Sequence, residues 1–351
     1  MKKLTTYRPL SVILMAVLLI VGFQTLKQKT VDQSMFKAEV LLVEEQEGAY
    51  QKLKLKDELG KTFFVENDES YQANPRLFSV GDKVLVDAKN LYIVDYNRSN
   101  TLFGLFMLFV VTVLVVAGWQ GIGALLGLGF SFLVLFYFVL PQILNGAEPV
   151  LTAIIGSLLI IPLTFYSSHG VNRKTSVAIL GTVLTLVMAG ILASIFADLA
   201  HITGLASEES NFLSLDAAAH VNFQGLVLAG MLISILGVLD DITISQASVV
   251  QQLKSAKQKI SNTELFTRAM RVGRDHISSM VNTLILVYTG ASLPLLLLFL
   301  DYSQPFSQLI NYEFMSEEIV RTLVGSISLI LAVPITTFLA VFLAGKNHPR
   351  G

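Results

Sequence analysis

The hydrophobic pattern divides the chain into three parts. An apolar run from Leu10 to about Leu26 follows a basic start with Lys2, Lys3 and Arg8. From Val31 to Arg98 apolar and polar positions alternate with period two: F-K-A-E-V-L-L-V, Y-Q-K-L-K-L-K, K-T-F-F-V-E, K-V-L-V-D-A and L-Y-I-V-D-Y. Period two is the mark of strands buried on one face. Reversals are expected at Gly48, at Gly60 after D-E-L-G and at Gly81 in S-V-G-D-K. Five short strands in this space predict a small barrel of OB-like or SH3-like type.

From Thr101 the chain is almost continuously apolar. Seven runs approach the ~20 residues a helix needs to cross a bilayer: about 102–118, 121–140, 149–166, 176–197, 221–239, 281–300 and 319–344. Only Trp119 and Gln120 separate the first two, which predicts a tight helical hairpin. The run at 10–26 lacks a small-residue cleavage site and reads as an uncleaved signal anchor. The expected fold is a polytopic α-helical membrane protein of about eight transmembrane helices, with a small extracytoplasmic β-barrel-like domain between the first two. Its parts are a cytoplasmic N-terminus and anchor over 1–30, the β-rich domain over 31–98, and a seven-helix domain over 99–351 with a cytoplasmic loop at 240–278.

Charge orients these spans. Lys2, Lys3 and Arg8 place the N-terminus inside, and counting crossings puts Arg173 and Lys174, the six cations from Lys254 to Arg274, and Lys346 and Arg350 inside too. The opposite loops are acidic, with Glu148, Glu208, Glu209, Glu317 and Glu318 among them. Residues 31–98 fall outside, which the positive-inside rule permits for a long translocated domain. The expected location is the plasma membrane, with both termini cytoplasmic.

Composition agrees. Of 351 residues, 53% are hydrophobic and 15% charged, against about a quarter charged in soluble domains. The chain has no cysteine, so disulfides, thiolate metal sites and cysteine nucleophiles are excluded. The five histidines show no zinc-binding spacing. No G-x-S-x-G elbow, zinc motif or paired intramembrane aspartyl-protease motif appears, so no enzyme and no cofactor is expected. Lys and Arg in the β-module are matched by Asp and Glu, which argues against a nucleic-acid partner.

Two stretches carry candidate chemistry. G-V-L-D-D-I-T-I-S-Q runs from Gly237 to Gln246, and Asp240 and Asp241 are the only acids between Asp216 and Glu264. They read either as caps of a cytoplasmic helix or, with Thr243, Ser245 and Gln246, as oxygen-bearing groups for an ion or solute at the end of a span. Ser245, Ser248 and Gln252 continue a polar stripe from Asp241 at helical spacing. The second stretch is R-A-M-R-V-G-R-D-H-I-S-S-M-V-N-T. Arg271, Asp275, Ser279, Asn282 and Thr289 share one face, with His276 and Thr283 on an adjacent one. Arg271 and Asp275 are spaced to pair. Membrane helices turn such groups inward, so a shared inner vestibule with Asp240 and Asp241 is expected. Whether a metal belongs there is left open. The small residues Gly121, Gly123, Gly127 and Gly129, and Gly225, Gly230, Ser234 and Gly237, predict close helix packing.

G-V-L-D-D-I-T-I-S-Q-A-S from Gly237 and R-V-G-R-D-H-I-S-S-M-V-N-T-L-I-L-V-Y-T-G-A-S-L-P from Arg271 closely resemble the YibE/F family of multi-pass bacterial membrane proteins. F-S-V-G-D-K-V-L-V from Phe78 extends the resemblance into the β-module. The resemblance implies architecture and membership but assigns no reaction. Two functions follow as expectations: a permease or exporter of a small solute or ion, and a non-transporting envelope scaffold or sensor. The second would couple the external β-domain to a cytoplasmic partner. The expected partners are the lipid bilayer and a membrane or envelope protein or a second copy of the chain.

Overall fold

The structure is a computed structural model that describes residues 35–71, 74–215, 220–294, 296–297 and 305–345. The signal anchor, the N-terminal cations, Lys346 and Arg350 lie outside the described residues. The chain forms two compact units, which meet in sequence at Gly118 and Trp119.

The first unit contains five antiparallel strands: β1 (Met35–Glu47), β2 (Tyr50–Asp57), β3 (Thr62–Asp68), β4 (Lys83–Asp87) and β5 (Ile93–Tyr96). Their order is β3-β2-β1-β4-β5, so β1 is shared between two ladders and the sheet curls into a half-barrel. The expected alternation holds: Ala38, Val40, Leu53, Leu55, Val65, Val84 and Val86 fill one buried face. Gly48, Gly60 and Gly81 stand at φ +58°, +87° and +94°, the left-handed conformation their reversals require. One inward position is polar. Gln51 is 1% exposed and exchanges two hydrogen bonds with the backbone of Phe78, at 2.9 and 2.7 Å. This amide pair closes the loop after β3 over the end of the sheet, seconded by Asn67 Nδ2 donating to the Arg76 carbonyl at 3.0 Å.

Helix α1 (Ser99–Val134) leaves helical geometry at Gly118, where φ is 53° and ψ −131°. The break falls one residue before the expected Trp119-Gln120 junction. Past it the chain stays helical through a π-turn (Leu135–Val139) into α2 (Leu140–Leu144). Then come α3 (Pro149–His169), α4 (Arg173–Leu199), α5 (Glu208–Leu215), α6 (Phe223–Ala256), α7 (Asn262–Ala291), α8 (Phe306–Leu309) and α9 (Glu313–Gly345). Among the described residues, five helical stretches are long and apolar enough to cross a membrane: Ser99–Leu144, α3, α4, α6 and α9. Within residues 240–278 the helical spacing read past Gly237 holds: the segment is helical except at 257–261.

In the second unit α4, α6 and α9 pack against one another at the centre, α3 lies on α4 and α6, and α7 on α9 and α6. Small residues set the closest approaches. A Cβ on Gly123 would collide with the Ser167 carbonyl and lie 3.1 Å from Ser168 Cα, and one on Gly127 would lie 3.2 Å from Thr164 Cα. The expected role of glycine therefore holds at these positions and at Gly225, 3.1 Å from Pro149 Cδ. Gly230 and Gly237 face open space and make no such approach.

Candidate functional site

Helix α6 begins at Asn222, whose Oδ1 accepts from the Gly225 amide at 3.0 Å. Leu228, Leu232, Leu236 and Leu239 recur every three or four residues and bury one face. The helix runs unbroken through Asp240 and Asp241 to Ala256, 34 residues or ~51 Å. Neither aspartate caps a helix. Midway along α6 the backbone amides are already bonded one turn back, so a carboxylate finds no free donors there.

The two carboxylates differ. Asp241 is exposed. Asp240 sits at the edge of the buried face, and its Oδ1 is buried without a hydrogen-bond partner. One turn on, the Thr243 hydroxyl is fully buried and lies 2.8 Å from that of Thr182 on α4, and donates at 3.3 Å to the Asp240 carbonyl. Ser245 is half-buried. Gln246 is 2% exposed, and its Nε2 donates to the Ala269 carbonyl on α7 at 3.1 Å and to Thr337 Oγ1 on α9 at 2.7 Å. Thr337 in turn donates to the Val333 carbonyl at 2.7 Å. One side chain thus ties three helices where α7 comes closest: a Cβ on Gly273 would meet Val333 Cγ1 at 2.5 Å.

Sequence reasoning missed the partners. Thr175, Thr182, Thr185, Thr336 and Thr337 are all fully buried. Their signal was present as Thr175, Thr182 and Thr185 with Gly181 at helical spacing in α4, and P-I-T-T in α9. A Cβ on Gly181 would lie 3.2 Å from Thr336 Cβ, so α4 and α9 also meet through small and hydroxyl residues. The hydroxyls of Thr182, Thr185 and Thr337 donate to the carbonyl one turn before them and remain available as acceptors to a neighbouring helix, whereas those of Thr175 and Thr336 are buried without a hydrogen-bond partner.

The second stretch is placed differently from expectation. Leu265, Ala269 and Gly273 are the buried stripe of α7. Arg271, Asp275, Ser279, Asn282, Thr283 and Thr289 are exposed, and His276 is half-buried. The hydroxyls of Ser279 and Thr283 donate within α7, to the Asp275 and Ser279 carbonyls. Among the described residues no hydrogen bond or ion pair joins this stripe to Asp240 or Asp241. The cause is packing: the apolar positions and Gly273 fit closer to α6 and α9 than the polar ones do. Among the described residues Arg271 does not pair with Asp275. The ion pairs at this end join Glu264 to Lys257 at 3.0 Å and to Arg268 at 2.7 Å. The Lys257 hydrogen bond, reinforced by both cations, holds the Glu264 carboxyl below its usual range.

Asp240 and Asp241 supply two carboxylates at the end of an apolar stretch, and among the described residues no third His, Asp or Glu completes a group that could hold a metal ion. What the arrangement offers is one buried carboxylate oxygen without a hydrogen-bond partner, one turn from the Thr243–Thr182 hydroxyl pair that joins α6 and α4. A family model described as YibE/F-like protein matches residues 105–346. The match begins after the β-module, so the resemblance read into F-S-V-G-D-K-V-L-V lies outside it. A search of the curated proteins finds no match, and a search of the solved structures finds none.

Proposed function

Because this chain belongs to the YibE/F-like family and carries long apolar helices, it is a membrane protein, and we propose that it is a permease or exporter of a small solute or ion. The observation that carries this reading is Asp240. A carboxylate oxygen buried without a donor costs several kcal/mol, roughly 2–7 for a polar group and more for a charge. Such groups persist in membrane helices where they take up and release a proton or cation. The adjoining hydroxyls of Thr243 and Thr182 extend a polar seam between α6 and α4, which is where a translocation step would pass. In this reading Asp241, exposed, stands at the entrance and Asp240 is the occupied site. The protein lies in a bacterial plasma membrane, with Arg173, Lys174 and Lys254 on the cytoplasmic side and the β-domain outside.

The test is flux in proteoliposomes. Reconstituted protein is expected to carry a proton- or cation-coupled flux that Asp240→Asn abolishes while the protein stays folded. Asp241→Asn should only reduce it. Unchanged flux in Asp240→Asn would remove Asp240 from the mechanism.

A further inference from the structure

At the end of the bundle bearing its basic residues, a cavity of about 350 Å³ opens between the first turns of α4 and the last turns of α6 and α9. Arg173, Lys174 and Lys254 line it, and among the described residues no acid does. Lys174 and Lys254 are half-buried rather than fully extended into solvent. The acid nearest in sequence to Lys254, Glu264, is already bonded to Lys257 and Arg268. Asn172 caps α4, so Arg173 and Lys174 occupy its first two positions. There they meet the positive end of the helix dipole, an unfavourable place for cations. Apolar side chains line it too, Val177, Val250, Ala340 and Leu343, together with Gln251, Ser255 and Gln258.

Positive residues at a span's end are explained in general by membrane insertion. Insertion does not explain a concave site lined by three cations and apolar side chains with no acid among its described residues; Lys254 alone is eased, in the last turn of α6 with its Nζ donating to the Ile260 carbonyl at 3.4 Å. That combination matches an anion joined to hydrocarbon. Phosphate-bearing head groups recognised by basic pockets between membrane helices are the corresponding ligand class. We infer that this cavity binds the phosphate of an anionic phospholipid, with Arg173, Lys174 and Lys254 holding the head group and the wall of Val177, Val250 and Leu343 receiving the start of its chains. The inference does not depend on transport or on Asp240.

The experiment uses full-length protein and phosphatidylglycerol, with phosphatidylcholine and inorganic phosphate as the comparison probes. Native mass spectrometry in detergent should show a retained phosphatidylglycerol, and nanodiscs containing that lipid should raise the melting temperature above that in phosphatidylcholine. At about 1 kcal/mol per cation, Arg173→Gln with Lys174→Gln and Lys254→Gln should weaken binding on the order of 100-fold and erase the melting difference. Lys259→Gln, outside the cavity, should change neither. A photoreactive phosphatidylglycerol on unaltered protein, which needs no variant to fold, should crosslink to peptides holding Arg173 or Lys254. Equal retention by the triple variant, crosslinks confined to other surfaces, or equal stabilisation by inorganic phosphate alone would each overturn the assignment.

Discussion

Gln246→Leu tests whether the node joining α6, α7 and α9 is structural. The change removes two hydrogen bonds, to Ala269 and Thr337. Neither partner is orphaned: the Ala269 carbonyl lies inside α7, and Thr337 still donates to Val333. Hydrogen bonds between membrane helices average about 0.6 kcal/mol each. Leucine also fills nearly the same volume, so Gln246→Leu should cost about 1 kcal/mol. Gln246→Ala loses the same bonds and leaves a hole at a site only 2% exposed, so its cost should rise to about 2–4 kcal/mol. Equilibrium unfolding of the full chain in mixed micelles, followed by circular dichroism, measures both. The reasoning fails if the leucine variant is as unstable as the alanine variant, which would mean the amide is irreplaceable. It also fails if neither midpoint moves. Lost flux at unaltered stability in Gln246→Leu would instead place Gln246 on the translocation path.

Other outcomes follow from the same geometry. Gly123→Ala should cost about 1–3 kcal/mol, because its Cβ meets the backbone of Ser167 and Ser168 rather than a movable side chain. Gly230→Ala, facing open space, should leave the midpoint unchanged or raise it in the same assay. The Glu264 carboxyl is lowered in the folded protein from the ordinary value of 4.5, so its contribution is complete above that pH and is lost as pH falls through its lower folded value. The protection of amides at 257–261, taken relative to the intrinsic exchange rate at each pH, should therefore fall on acidification, and Glu264→Gln should show the lower protection already at neutral pH.

Much of the architecture was legible in the pattern of residues. Period-two alternation located five strands, and their glycine reversals fall where the backbone turns left-handed. Long apolar runs marked the helices that can cross a bilayer, because composition alone decides whether a helix tolerates hydrocarbon. The Asp240–Asp241 pair was legible as unusual for the same reason. What those residues do to one another was not. Helix continuity past Asp240 turned a supposed cap into a mid-helix carboxyl. In α7 both an apolar stripe and a polar stripe were visible, and periodicity does not say which one packs. The closest fit decided it: Gly273 admits Val333 and Gln246, and the polar stripe stays exposed. Gln51 shows the same limit in the β-domain, since only the fold brings the Phe78 backbone to its amide. Sequence by itself determines which surfaces avoid water or lipid, because transfer energies belong to individual residues. Which polar groups are satisfied, and by whom, belongs to tertiary structure, because hydrogen bonds and close packing depend on distances between residues far apart in the chain.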